Sequence, residues 1–168
     1  TEKTENPGIA ESNIETQGST ISSVGLITDD RIINLEKDEP GNWLSHGRTY
    51  EEKRFSPLTE INKETVSQLG LAWQKDMGTN RAQESTPIVV DDIMYLTSSW
   101  SIVYAIDAKT GETLWRYDPE VPGEHARKAC CDVVNRGVAV YEGMVYVGSL
   151  DGRLIALNAE SGDVVWEK

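Results

Sequence analysis

The chain has 168 residues, 28 of them acidic and 16 basic, which gives a formal net charge of −12 at pH 7. This charge disfavours nucleic acid or an anionic membrane surface as a partner. No apolar run approaches the roughly 18 to 20 residues that a membrane-spanning helix needs, so we expect no membrane span in this chain.

The amino-terminal stretch TEKTENPGIAESNIETQGSTISS is polar and rich in Ser, Thr, Glu, Asn and Gly. It lacks the basic and apolar regions of a signal peptide, so we expect that none exists or that the sequence begins after its removal. Such a composition cannot bury enough apolar surface to order itself. We therefore predict a flexible tail over residues 1–27 and a folded region over residues 28–168.

The remaining sequence contains an internal repeat. Residues 85–117 and 136–168 align without gaps at an offset of 51 positions, and LGLAW, residues 69–73, resembles the end of a further copy. The matched residues are Tyr95 with Tyr146, Ala105 with Ala156, Asp107 with Asn158, Gly111 with Gly162, and Trp115 with Trp166. A shared offset at so many positions indicates repeated structural units.

Each copy has short apolar runs separated by turn residues, which predicts four strands per copy. The predicted strands are 86–90, 93–97, 102–106 and 112–117 in the first copy, and 137–141, 144–148, 153–157 and 163–167 in the second. Turn sequences such as VDDI, YEGM and NAESGD predict tight hairpins between them. The fold class is therefore all-β, with two four-stranded β-propeller blades and LGLAW as an orphan strand.

The repeated tryptophans have a structural interpretation. We predict that Trp115 and Trp166 fill the space between neighbouring blades, and that Ala105 and Ala156 leave room for them. Known propellers have roughly 4 to 8 blades, each covered by its neighbours. We therefore expect the chain to be the front part of a larger propeller and to be poorly soluble or loosely folded by itself.

The two cysteines, Cys130 and Cys131, are adjacent in RKACCDVVNRG. If they are oxidised they must bond to each other, and the ring is strained because neighbouring Cα atoms lie about 3.8 Å apart, below the roughly 4.4 Å of ordinary disulfides. Such a ring is a rigid, polarizable surface for stacking. Two unlinked thiols, one buried and one not, are the alternative, and the residues alone leave both open.

Several stretches resemble the pyrroloquinoline-quinone (PQQ)-dependent alcohol dehydrogenases over about residues 28–168. They include EPGNWLSHGRTYEEKRFSPLTEIN (39–62), LGLAW and the highly specific CCDVVNRG. WLSHGRTY and SSWSIVYAID look more like the quinohaemoprotein alcohol dehydrogenases than like methanol dehydrogenase. The resemblance implies an eight-bladed propeller with the quinone near its axis.

The resemblance also implies the cofactor-binding residues. Cys130 and Cys131 would form a vicinal disulfide against one face of the quinone, and Glu84 and Arg136 would contact its polar edge. Arg136 suits the three carboxylates of the cofactor, because guanidinium offers planar bidentate donors. Glu84 must be protonated or share a hydrogen there, and its alternative interpretation is an exposed loop acid. Asp132 is interpreted as a structural brace of the turn.

Other parts of the expected enzyme have no counterpart in this chain. In the family the catalytic aspartate, the calcium ligands and the tryptophan on the other face of the quinone come later, so we expect them beyond Lys168. The same holds for a domain carrying haem c. His46 and His125 lack partners at ligand spacing and are interpreted as hydrogen-bonded or surface residues.

The resemblance implies oxidation of an alcohol substrate, with electrons passing to a cytochrome or another electron acceptor. A disulfide would not persist in a reducing cytosol, so we expect a location outside the cytosol, and the resemblance implies the periplasm. Two alternatives remain: a non-catalytic propeller that serves as a scaffold for protein partners, and an inactive truncated fragment. The adjacent cysteines, Glu84 and Arg136 argue against the scaffold, which has no use for them.

Overall fold

The computed structural model describes residues 23–168, which contain two antiparallel sheets of four strands each. Blade 1 consists of β1 (Ile88–Val90), β2 (Ile93–Thr97), β3 (Val103–Asp107) and β4 (Thr113–Tyr117), and blade 2 of β5 (Ala139–Tyr141), β6 (Met144–Gly148), β7 (Leu154–Asn158) and β8 (Val164–Glu167). The strands of each blade pair in chain order. Every predicted strand is present with nearly the predicted ends, which confirms the all-β fold and the four-stranded blades.

The two blades repeat each other in register as well as in sequence. Tyr95 lies opposite Ala105 in blade 1, and Tyr146 lies opposite Ala156 in blade 2. The pairing of the third and fourth strands shifts register directly after the same two alanines. The repeated sequence therefore encodes the same backbone conformation twice, and this includes the register shift between the third and fourth strands.

The first hairpin of each blade has a two-residue turn with an unusual backbone. The central residues are Asp91 and Asp92 in blade 1, with φ of 51° and 66°, and Glu142 and Gly143 in blade 2, with φ of 48° and 75°. Positive φ at both central residues is the mark of a type I′ turn, whose twist matches that of the flanking strands. The turn sequences VDDI and YEGM therefore fix the register of each sheet.

Trp115 joins the two blades. Its ring lies 5.9 Å from that of Tyr95, and its Nε1 donates a hydrogen bond of 2.9 Å to the backbone oxygen of Ala159 in blade 2. The ring rests on Gly162, where a Cβ atom would lie only 2.7 Å from it. Gly162 also has a φ of +77°, so glycine is required twice over. These contacts confirm the predicted role of Trp115.

Trp73 makes the same contact one blade earlier. Its Nε1 donates to the backbone oxygen of Ala108 at 3.0 Å, and a Cβ atom at Gly111 would lie 2.6 Å from its ring. LGLAW nevertheless forms no strand among the described residues, and Leu69 and Leu71 are exposed. No neighbouring strand is present among the described residues to form a ladder with it, so the orphan strand, which was expected to lack the rest of its blade here, stays a prediction.

The helix α1 (Asp29–Asp38) is an element that the strand pattern does not predict. Thr28 caps it, with its hydroxyl accepting a bond of 3.4 Å from the backbone nitrogen of Arg31, and Ile32 and Leu35 are its buried residues. The other helical segments are the 3₁₀ turns Val66–Gln68, Ser99–Ser101 and Gly123–Lys128. None of the helices within residues 23–168 is long and apolar enough to cross a lipid bilayer.

Residues 1–22 of the predicted tail lie outside the described residues. In its last part Ile27 is fully buried. The backbone oxygens of Ile27 and Gly25 accept hydrogen bonds of 2.9 and 3.2 Å from the nitrogens of Glu142 and Gly143. The packed structure thus reaches back at least to Gly25, and the proposed boundary at residue 27 stays a prediction.

Candidate functional site

The connections that carry the proposed site residues lie at one end of the blades, which we call the site end. Because neighbouring strands are antiparallel, β1 and β3 begin where β2 and β4 end. The site end therefore contains the segment before β1, the β2–β3 connection and the β4–β5 connection. Glu84 lies in the first of these segments, and Cys130, Cys131 and Arg136 lie in the third.

Glu84 and Arg136 are brought together by the pairing of two backbone segments. Thr86 and Gly137 form a parallel bridge, and the nitrogen of Thr86 donates to the oxygen of Arg136 at 3.1 Å. Gly137 has a φ of +124°, and a Cβ atom there would lie 2.8 Å from the oxygen of Thr86. The close approach leaves Arg136 Nη2 3.0 Å from Glu84 Oε2, in an ion pair whose side chains are 67% and 45% exposed.

A polar network fixes the backbone beneath this ion pair. Ser85 Oγ accepts a hydrogen bond of 2.9 Å from the nitrogen of Thr97, and Thr97 Oγ1 donates to the oxygen of Asn135 at 3.2 Å. The amide of Asn135 in turn donates to Ser101 Oγ at 3.0 Å and to the oxygen of Gly148 at 2.8 Å. Residues next to Glu84 and Arg136 are thus tied to the ends of both blades.

Cys130 and Cys131 lie beside each other as free thiols, and both are exposed. Their Sγ atoms are 2.6 Å apart, near the roughly 2.05 Å of a disulfide but not at it. The interpretation with one buried and one exposed cysteine is therefore wrong, because the segment between β4 and β5 runs over the surface of the site end. The vicinal disulfide stays a prediction.

The four residues share one electrostatic environment. The pKa of the Cys131 thiol is raised above its ordinary value, chiefly by the hydrogen bond with Cys130 and by the charge of that neighbour. Glu84 also raises this pKa, whereas Arg136 lowers it. The Glu84–Arg136 ion pair therefore lies within electrostatic range of Cys131, although a whole blade of sequence separates Glu84 from the other three residues.

Asp132 braces the turn after Cys131, as the sequence suggested, and its partner is a residue that the sequence did not single out. Arg81 Nε lies 2.8 and 3.0 Å from the two carboxylate oxygens of Asp132, and the nitrogen of Ala82 donates to Oδ2 at 2.9 Å. The hydrogen bond from Arg81 is the main reason why the pKa of Asp132 is held well below its usual range. The only sign of this contact in the sequence is that one predicted loop contains an Arg and another an Asp, neither with an obvious partner nearby.

The histidines contribute no visible site. His46 is exposed in the loop after Trp43, and His125 lies in the Gly123–Lys128 turn. In the described part of the chain, no group of three or more His, Cys, Asp or Glu side chains is arranged to hold a metal ion.

Two four-stranded blades joined through Trp115 define a segment of a β-propeller. The family model for the PQQ glucose/ethanol/alcohol dehydrogenase β-propeller domain matches residues 43–167. The chain belongs to this family.

Individual relatives agree with this assignment. The dehydrogenase subunit of the quinone alcohol dehydrogenase of Komagataeibacter europaeus is 55% identical over 139 residues, which are 83% of this chain and 19% of that protein. The structure of the quinohemoprotein alcohol dehydrogenase ADHIIG of Pseudomonas putida HK5 matches with a TM-score of 0.84 and 52% identity, over 86% of this chain and 21% of that one.

A europium-containing methanol dehydrogenase matches less well, with a TM-score of 0.76 and 40% identity over 83% of this chain and 25% of that one. The greater likeness to the quinohaemoprotein enzymes is therefore confirmed. The chain spans about a fifth of the length of the curated relatives that it matches.

Proposed function

We propose that this chain is part of a PQQ-dependent alcohol dehydrogenase and forms one wall of its quinone pocket. The observation that carries the proposal is the exposed cluster of Glu84, Cys130, Cys131 and Arg136 at the site end. These residues come from two separate connections, and the fold of both blades is needed to join them. When bound, the quinone supplies the two-electron acceptor that oxidation of an alcohol requires.

The charged pair suits the polar edge of a planar ligand that carries three carboxylates. Arg136 is more than half exposed, so its guanidinium has donors left for bidentate bonds to a carboxylate. Glu84 is held 3.0 Å from that guanidinium, which offsets the repulsion between its own carboxylate and those of the ligand. The pair thus binds and orients the ligand while keeping the local charge balanced.

The cysteine pair suits the face of the ring. As a vicinal disulfide it would present a rigid, polarizable surface, and the sulfur atoms at 2.6 Å require little movement to bond. Stacking on such a surface excludes water from one side of the ligand. The residues present therefore fit the quinone at its edge and at one face.

Further parts of the proposal rest on likeness to the family. They are calcium held by residues beyond Lys168, a haem c domain there, an alcohol substrate, a cytochrome or other electron acceptor, and a periplasmic location. The periplasm is supported by the proposed disulfide, which a reducing compartment would not preserve.

The test measures PQQ affinity in the full-length protein by quenching of tryptophan fluorescence, together with alcohol-dependent dye reduction in the presence of calcium. Arg136→Gln should weaken PQQ binding by at least about tenfold, because hydrogen bonds to a charged group contribute about 1.5–3 kcal/mol. The matched control is Arg54→Gln, since Arg54 forms a comparably exposed ion pair with Glu52 at 3.3 Å. Equal affinities of the two variants would contradict the proposed pocket.

Two further outcomes separate the alternatives. A full-length protein that binds no PQQ would favour the non-catalytic scaffold. Turnover by residues 1–168 alone, with PQQ and calcium added, would contradict the expectation that the catalytic groups lie beyond Lys168.

A further inference from the structure

The turn after Cys131 is held by a cation from another connection. Arg81 directs its Nε and Nη2 at the carboxylate of Asp132, and the Nε distances are 2.8 and 3.0 Å. The nitrogen of Ala82 adds a third donor at 2.9 Å. Such a charge-assisted fork is stronger and more directional than a bond between neutral groups.

The same guanidinium lies against an aromatic ring from the β2–β3 connection. Arg81 Cζ is 5.6 Å from the centroid of the Trp100 ring, within the range of a cation–π contact. The nitrogen of Trp100 donates to the oxygen of Val133 at 2.8 Å, and Val133 is fully buried. Arg81 therefore joins three connections of the site end: its own segment before β1, the β2–β3 connection and the cysteine turn.

One of the joined residues has a strained backbone. Trp100 has a φ of 64°, in the left-handed region that bulky residues avoid, whereas Asp132, with a φ of 65°, is of a type that tolerates this region. Strain of this kind persists only where the surrounding contacts over-determine the conformation. The contacts of Arg81 and Val133 supply that constraint directly next to Cys131.

We propose that Arg81, Asp132 and the ring of Trp100 form a clamp that fixes the backbone after Cys131 and so favours the bond between Cys130 and Cys131. The clamp residues are positioning residues, because they act through the cysteines and are not among the proposed quinone contacts. The inference deepens the proposed function, since it explains how the stacking surface is kept oxidised.

The physical reason lies in the strain of the ring. A bond between neighbouring cysteines closes almost no loop, so it gains little from constraining the unfolded chain and is easily reduced. A backbone held in one conformation has already lost the freedom that bond formation would remove. In the oxidation, the dithiol passes two electrons and two protons to oxidised glutathione, whose S–S bond breaks to give two thiols as the protein S–S bond forms.

The experiment equilibrates the full-length protein in glutathione buffers of graded redox ratio, traps free thiols by alkylation, and measures the mass of the peptide that contains Cys130 and Cys131. Arg81→Gln should shift the equilibrium toward the dithiol by roughly twofold to fivefold, as expected for loss of one partly exposed ion pair. Asp132→Asn should shift it in the same direction, and Asn tolerates the left-handed backbone at this position. Arg81→Lys, which keeps the charge but loses the fork, should fall between the wild type and Arg81→Gln.

The matched control is Arg116→Gln. Arg116 forms an ion pair of 2.8 Å with Asp118 and lies 5.8 Å from the centroid of the Tyr104 ring, with a side-chain exposure of 44% against 42% for Arg81. It therefore combines the same two kinds of contact without touching the cysteine turn. If Arg116→Gln shifts the cysteine equilibrium as much as Arg81→Gln does, the clamp is refuted.

A double variant of Arg81 and Asp132 and a measurement of PQQ binding complete the test. The double variant Arg81→Gln, Asp132→Asn should shift the equilibrium no further than Arg81→Gln alone, because Asp132 has then already lost its partner; additive shifts would contradict the clamp. If the wild type binds no PQQ while the clamp variants still shift the equilibrium relative to Arg116→Gln, the proposed function fails and the clamp stands. If PQQ binds but the clamp variants match the control, the clamp fails and the proposed function stands.

Discussion

Blade 1 and blade 2 carry the same tryptophan at the same position of the outer strand, yet the two rings have different surroundings. Trp115 is 9% exposed and donates to Ala159, whereas Trp166 is 36% exposed. Each ring lies about 6 Å from the tyrosine of its own blade, Tyr95 or Tyr146. The tyrosine contact is thus made within a blade, and the remaining burial depends on the next blade.

The comparison separates two sources of stability. Register, turns and the tyrosine–tryptophan pair are present in both blades, because each blade contains the residues that form them. The outer-strand tryptophan is buried only where a neighbour supplies a glycine and a carbonyl oxygen. The other outer-strand residues do not differ in this way, since Leu114 of β4 and Val165 of β8 are 52% and 53% exposed.

The largest expected effect comes from removing the buried ring. Trp115→Ala should lower the local free energy of unfolding by about 3–5 kcal/mol, as for other buried aromatics. Trp166→Ala, the matched change, should cost less in the 168-residue chain, about 1–2 kcal/mol, because its side chain is already 36% exposed. Native-state hydrogen exchange reads the local stability of each blade. Equal losses would show that burial between blades is not what distinguishes the two rings.

The next effect tests the glycine beneath Trp115. Gly162→Ala should destabilise blade 2 by about 2–4 kcal/mol, because the Cβ atom both forces a left-handed alanine and meets the ring. Gly152→Ala is the control, since Gly152 has a φ of +94° but nothing within 4 Å of the added atom. It should cost only about 1–2 kcal/mol for the backbone. Hydrogen exchange of β7 and β8 measures both, and a Gly152 variant as unstable as the Gly162 variant would contradict the ring contact.

A pH effect should distinguish the β6–β7 turn from its counterpart in blade 1. Arg153 lowers the pKa of Asp151 to about 2, chiefly by its hydrogen bond to that carboxylate. Since the folded-state pKa is below the ordinary value of about 3.9, the stabilisation is complete above that value and is lost as the pH falls toward 2. Blade 1 has Trp100 and Ile102 at these positions and no such pair.

The midpoint of urea unfolding, followed by tryptophan fluorescence between pH 5 and 2, measures this loss. Asp151→Asn should remove the corresponding part of the pH dependence. A variant with the same pH profile as the wild type would mean that the pair contributes nothing to the folded state.

The smallest expected effect concerns an ion pair that only blade 1 has. Lys109 Nζ lies 2.5 Å from Asp92 Oδ2, and both side chains are mostly exposed; the equivalent residues of blade 2 are Glu160 and Gly143. Lys109→Met should change the free energy of unfolding by less than about 1 kcal/mol, since exposed pairs are screened by water and salt. A larger loss in the same urea experiment would show that this pair, in addition to the strand residues, makes the stability of blade 1 differ from that of blade 2.

The sequence predicted the strands closely because their signals are local. Alternating apolar runs and turn pairs such as Asp91 with Asp92 act over a few residues and occur twice. LGLAW shows the limit, since Trp73 docks on Gly111 as Trp115 docks on Gly162, while the segment has no strand to pair with among the described residues. Helix α1 was missed because its cap, Thr28, and its two buried residues carry a weaker signal than the repeat.

For the site, the sequence alone determined which residues to consider. Adjacent cysteines are rare enough to stand out, and the resemblance singled out Glu84 and Arg136. Only the tertiary structure decided that these residues meet, because the bridge between Thr86 and Gly137 joins segments that lie a blade apart in sequence. The clamp of Arg81 on Asp132 likewise depends on that long-range packing, since no local pattern couples two charged residues in separate loops.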